Sequence, residues 1–197
     1  MSSVLGRTNR VWPEEWWKLV GFGDRESVVS ALKAEPRPVL AMGSPGIWAH
    51  ELRGLGCDWL VCDSGGVERA RDEGEAMQIM MGEIVQRVSN SPDGGISVWF
   101  LSVARAWEEF QINGALAALE SAREERLVDH LGLHVAGRAM GVASLWRFHD
   151  AFDVVLCRPG EEFDSVLATA RERRVGVVQD GGAALGYGPV LREVHCG

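Results

Sequence analysis

Residues 96–134 read ISVWFLSVARAWEEFQINGALAALESAREERLVDHLGLH, and their pattern decides the fold. Ile96 to Leu101 is an apolar run of strand length interrupted only by Ser97, as expected where a strand is buried on both faces. Leu116, Leu119, Ala122-Arg123 and Leu127 follow at helical spacing, with Glu and Arg on the opposite side. Val128 to His134 then returns to a strand-like run. Strand, amphipathic helix and strand in that order make one parallel unit with its crossover.

The same alternation extends in both directions. Pro38 to Met42 and Asp58 to Cys62 precede the unit as strand candidates; Phe152 to Cys157 and Val175 to Val178 follow it, with a weaker run at Val190 to Val194. Helical stripes lie between them: Ile47-Trp48, Leu52 and Leu55; Ala76-Met77, Met80-Met81, Ile84-Val85 and Val88; Val142, Leu145-Trp146 and His149; Val166-Leu167 and Ala170. The predicted class is α/β, a TIM-barrel-like series of parallel βα units. Complete eight-stranded barrels use about 250 residues. With 197 residues, this chain is expected to form a shortened or incomplete barrel of six to seven strands, closed by fewer units or open with another chain on its edge.

Residues 1–36 read differently. Trp12, Trp16 and Trp17 crowd a Trp-Pro-Glu-Glu stretch in which Pro13 and the acidic pair suit a helix start, and a second helix is expected from Asp24 to Lys33. This N-terminal Trp-rich helical segment is expected to plug or cap a barrel domain of residues 37–197, with Glu35-Pro36-Arg37-Pro38 as the linker.

Composition narrows the partners. Lys+Arg 20 against Asp+Glu 28 gives a net charge of −8, which disfavours nucleic acid and anionic lipid. The longest apolar stretches fall far below the ~20 residues needed to cross a bilayer, and no secretory signal precedes Cys57, Cys62, Cys157 and Cys196. Reduced thiols and a cytoplasmic location are expected.

In parallel α/β folds ligands bind where strands end. The strand ends here carry Asp63, Ser102, His134, Arg158 and Asp180, with Gly65-Gly66 and Gly181-Gly182 in the loops. Asp63 and Asp180 either cap the helices that follow or handle protons. His134 either donates to a backbone carbonyl or orients a ligand, and Arg158 is either a solvated loop residue or holds an anion. The glycine loops serve tight turns or cradle phosphate. No paired-Cys, His-Glu-x-x-His or carboxylate-rich motif points to a metal, and Cys62 or Cys157 would need His134 as its base to act as a nucleophile.

The order of these pieces resembles the aldo/keto reductases. Leu5-Gly6-Arg7-Thr8-Asn9 is similar to the family's L-G-R-T-G start. Gly114 to His134 resembles its A-L-E-x-L-x-x-E-G-K-I helix followed by R-x-I-G-V-S-N. Phe152-Asp153-Val154-Val155 resembles F-D-V-V-Q, and Ala168 to Gly188 resembles A-x-x-x-G-I-G-V-V-A-x-S-P-L-G-x-G. The resemblance implies carbonyl reduction with NADPH by a tyrosine proton donor, a lysine, an aspartate and a histidine, and it would place Asp63 on the aspartate. It also points to Gly181, Gly182 and Gly186 as cofactor contacts. A shorter stretch, Ser44 to Asp63, is similar to a family of metal-dependent aldolases.

The tetrad is not matched. Tyr187 is the only tyrosine and follows the sixth strand run, whereas the family's lies near Gly66-Val67. Lys18 and Lys33 are the only lysines, and both precede the first strand run identified above. A phenol of ordinary pKa ~10 needs a lysine beside it to act near neutrality. The leading expectation is therefore a pseudoenzyme: a reductase-like domain without its redox machinery, binding a small anionic ligand or another chain, with homo-oligomerisation as one form. The alternatives are an NADP-dependent oxidoreductase with a site rearranged around Asp63 and His134, and an aldolase- or isomerase-like barrel using Asp63, Asp180 and Arg158. The expected cofactor is accordingly none or NADP.

Overall fold

The computed structural model describes residues 3–21, 23–42, 44–103, 106–135, 150–160 and 163–196. Two short strands, β1 (Ser3–Val4) and β2 (Val11–Trp12), form an antiparallel hairpin around a 3-10 turn at Gly6–Thr8. The barrel strands are β3 (Glu15–Gly21), β4 (Val39–Ala41), β5 (Trp59–Asp63), β6 (Ile96–Val103), β7 (Val128–Val135), β8 (Val154–Cys157), β9 (Gly176–Asp180) and β10 (Val190–Cys196). Helices α1 (Arg25–Ala34), α2 (Pro45–Leu52), α3 (Glu73–Ser89), α4 (Glu109–Glu124) and α5 (Phe163–Arg173) intervene. Their starts follow local chemistry: Asp24 and Asp72 accept from the backbone N–H of Ser27 and Glu75, Pro45 takes the first turn of α2, and Glu108 with Gln111 forms a capping box on α4.

All eight barrel strands are parallel and close in the order β10-β3-β4-β5-β6-β7-β8-β9. Following the paired residues once round the barrel returns to the starting strand displaced by eight residues: Trp17, through Val39 and Trp59 and on to β10, comes back level with residue 9. Eight strands at a shear of 8 is the TIM-barrel geometry. The expectation of six to seven strands is corrected here. The strand it lacked is β3, and the tryptophan segment expected to be helical is this strand, so the barrel begins at Glu15 rather than at residue 37. Economy comes from the connections: residues 181–189 join β9 to β10 with no helix between them. The expected stripe at Val142, Leu145-Trp146 and His149 lies outside the described residues.

Two cores result. Trp16, Leu40, Leu60, Val98, Phe100, Val154, Leu156, Val178 and Leu191 form a cluster with no residue from any of the described helices, which is the barrel interior. The alternate strand residues, such as Trp59, Val61, Trp99, Leu131, Leu133 and Val155, pack outward with helix residues Leu32, Trp48, Ile84 and Leu119. Gly132 makes room for Phe100, since a Cβ there would lie 2.4 Å from that ring.

The amino-terminal hairpin seals the bottom. Trp12 is fully buried, its ring centroid 5.1 Å from that of Trp16, and its indole N–H donates to Thr8 Oγ1 at 3.1 Å. Gly6, at φ +53°, presses on the start of β9, where a Cβ would lie 2.0 Å from the Gly176 nitrogen. Arg7 donates to the Arg173 carbonyl, and Arg10 makes a two-pronged pair with Asp58 at 2.7 Å on each arm.

Candidate functional site

Strand alternation decides which strand-end residues meet at the open end. Side chains point inward at Lys18 of β3, Cys62 of β5, Ser102 of β6, His134 of β7, Asp180 of β9 and Glu193 of β10, in step with the interior residues two positions earlier on each strand. His134 Nδ1 lies 3.2 Å from Cys62 Sγ and 3.1 Å from Ser102 Oγ. Lys18 Nζ is 2.9 Å from Glu193 and 3.7 Å from Asp180, and Arg158 donates to Asp180 at 3.1 Å. A thiol–imidazole–hydroxyl group and a chain of ion pairs thus share one mouth.

Burial keeps the first group neutral. It pushes the Cys62 thiol up to about 12, with Asp63 and Asp180 adding to the rise, so near neutrality the sulfur is a thiol and not a nucleophilic thiolate. It also depresses His134 below its usual value, against the pull of Asp180, and the imidazole is neutral at pH 7. Cys157 packs outward among the helices, where burial again drives its pKa up to about 12; it takes no part in the mouth. Among the described residues no three His, Cys, Asp or Glu side chains are placed to hold a metal ion.

The expected residues divide accordingly. His134, Ser102, Arg158 and Asp180 meet as expected. Asp63 does not join them: one position beyond Cys62, it faces α3, where it accepts from Arg87 at 2.7 Å and from the Gly65 N–H at 2.9 Å. Gly181 and Gly182 border a cavity of about 530 Å³ beside the mouth, lined also by Arg158, Pro159, Asp180, Arg192 and Glu193. Gly186 lies further along the same loop. That loop runs into β10, so neither Asp180 as a helix cap nor the glycines as a phosphate cradle at a helix start is realised.

Lys18 and Glu193 were missed by sequence reasoning. Once the Trp-Pro-Glu-Glu stretch is taken as a helix, Lys18 has no strand to sit on; as part of β3 it is the one lysine of the barrel wall, with only 16% of its side chain exposed. Tyr187 stands apart, 45% exposed, with its ring 6.3 Å from Phe163 and 5.0 Å from the Arg171 guanidinium on α5.

No family model matches the chain, and no curated protein matches it by sequence. Solved structures do. A Pseudomonas aeruginosa protein assigned as an aldo-keto reductase is similar over 98% of this chain and 89% of its own, at 11% identity and a TM-score of 0.75. An aldo/keto reductase from Brucella melitensis is similar over 92% and 72%, at 11% identity and a TM-score of 0.71. A Bombyx mori aldo-keto reductase in complex with NADP is similar over 89% and 64%, at 11% identity and a TM-score of 0.62. At these identities the likeness is one of architecture: the chain has the barrel fold of the aldo-keto reductases.

Proposed function

We propose that this chain is a reductase-fold protein without hydride-transfer chemistry, a binding or accessory protein that takes a small anionic ligand at the barrel mouth. The observation that carries this reading is that Tyr187 packs on α5 against Phe163 and Arg171, neither of them a residue of the mouth. The mouth then offers no phenol to protonate a reduced carbonyl. Lys18, which would lower the pKa of such a phenol, is held by Glu193 and Asp180 instead.

What remains is recognition chemistry. Arg158 is 73% exposed with one nitrogen on Asp180, leaving donors for an anionic group. Neutral His134 and Ser102 supply directional hydrogen bonds deeper in. Free Cys57, Cys62 and Cys157 are compatible with a cytoplasmic setting. Another chain, or a second copy of this one, is the macromolecular partner compatible with a net charge of −8; among the described residues no helix is long and apolar enough to cross a membrane.

NADP enters through the silkworm neighbour. The residues here fit a dinucleotide poorly, because the loop carrying Gly181, Gly182 and Gly186 leads into a strand and supplies no helix N-terminus for phosphate. A second reading, an NADP-dependent oxidoreductase with a rearranged site, is favoured by one observation: the Lys18 ammonium and Asp180 carboxylate stand 3.7 Å apart in the mouth that holds His134. Titrating NADPH against the tryptophan fluorescence separates the two. The binding-protein reading expects no quenching at millimolar cofactor; saturable quenching together with consumption of NADPH in the presence of aldehydes overturns it.

A further inference from the structure

The wall of the barrel has a gap, and the gap holds a cavity that shares Cys62 with the axial mouth and otherwise has its own lining. Among the described residues β4 and β5 pair at Val39 with Trp59 and at Leu40 with Leu60 alone. Beyond that point β4 stays with β3, the Met42 N–H donating to the Leu19 carbonyl at 2.9 Å, while Val61, Cys62 and Asp63 pair with β6. The cavity there, of about 530 Å³, is lined by inward Leu40 and Cys62 and by outward Ala41 and Asp63 alike. Residues from both faces of both strands line it, so the cavity lies between β4 and β5. Its volume is in the range of small-molecule sites.

The slot has two unlike walls. Leu40, Ala41 and Met42 with Pro45 make one side apolar, while α3 lines the other with Glu83 and Arg87. Arg87 donates through Nε to Glu83 at 2.6 Å and through a terminal nitrogen to Asp63 at 2.7 Å. Two carboxylates thus share one guanidinium, a local charge of −1 in a protein of net −8. An anion is repelled here; an ammonium gains a carboxylate partner while its apolar body covers the opposite wall.

We infer that this lateral slot is a binding site for small organic cations with an apolar face, distinct from the anion-favouring mouth at Arg158. The probes are benzylamine and benzoate, which share a body and differ in charge, followed by ligand-observed NMR and by the fluorescence of Trp59, which borders the cavity. Benzylamine is expected to bind saturably at millimolar concentration and benzoate not to bind in the slot. Gly46→Phe fills the slot from α2, where a Cβ meets nothing within 4 Å, and is expected to abolish benzylamine binding with the urea midpoint unchanged. Glu83→Gln, which keeps the shape, is expected to weaken it about tenfold, whereas Arg158→Gln leaves it unaltered. Absence of benzylamine binding, equal binding of both probes, survival of binding in a folded Gly46→Phe variant, or no change in Glu83→Gln would each overturn the assignment. None of these outcomes depends on whether NADPH binds.

Discussion

The two ends of the barrel are closed and open by different chemistry. At the bottom, Leu5, Trp12 and Trp16 continue the interior packing down into the hairpin; of the two indole N–H groups buried there, that of Trp12 donates to Thr8 and that of Trp16 has no hydrogen-bond partner among the described residues. At the top, the same strands turn polar within two residues: Trp16, Leu60, Phe100 and Leu191 give way to Lys18, Cys62, Ser102 and Glu193. Stability is concentrated below and the candidate site lies above, because buried apolar area stabilises while a ring of paired charges contributes little net free energy.

Substitutions at the two ends are expected to differ in size. Trp12→Ala should cost about 3–5 kcal/mol in urea denaturation, the range for deleting a fully buried aromatic; a loss below ~1 kcal/mol would mean the hairpin is not part of the cooperative unit. Gly6→Ala should come next, at about 2 kcal/mol or more, since it combines a left-handed φ with a backbone collision at Gly176. Lys18→Met, at the other end, should change stability by no more than about 1 kcal/mol, Arg158 remaining on Asp180. A loss as large as that of Trp12→Ala would erase the division between the two ends.

The smallest effect concerns pH. His134 has a folded-state pKa below the 6.5 of the free side chain, so between those two values the unfolded chain binds more protons. Its contribution is complete above pH 6.5 and is lost as pH falls through the window below, with Asp180, Lys18 and Arg158 as the charges acting on it. His134→Asn is expected to flatten the stability profile in that window and leave it unchanged above pH 7. An unaltered slope would place the imidazole in solvent.

The βα order was legible because parallel strands buried on both faces leave apolar runs, and Ile96–Val103 and Val128–Val135 appear where such runs lie. That same double burial hid the parity. With apolar neighbours on either side, nothing in DWLVCD says whether Cys62 or Asp63 faces the axis, and only the closed register does. β3 was illegible for a related reason: Lys18 is an inward-facing charge in a strand, and Trp16 and Leu19 at a three-residue step imitate a helix face. The resemblance in motif order foresaw the fold, though not its eighth strand.

The most direct test of the central claim is a single-turnover search for hydride transfer. Stoichiometric protein, NADPH carrying deuterium at the transferable position and an excess of a reactive aldehyde are incubated, and the alcohol is analysed by mass spectrometry. No deuterated alcohol above a protein-free control is expected. Deuterium transfer that is present in the wild type and lost in Lys18→Met would contradict it and make Lys18 part of a working reductase.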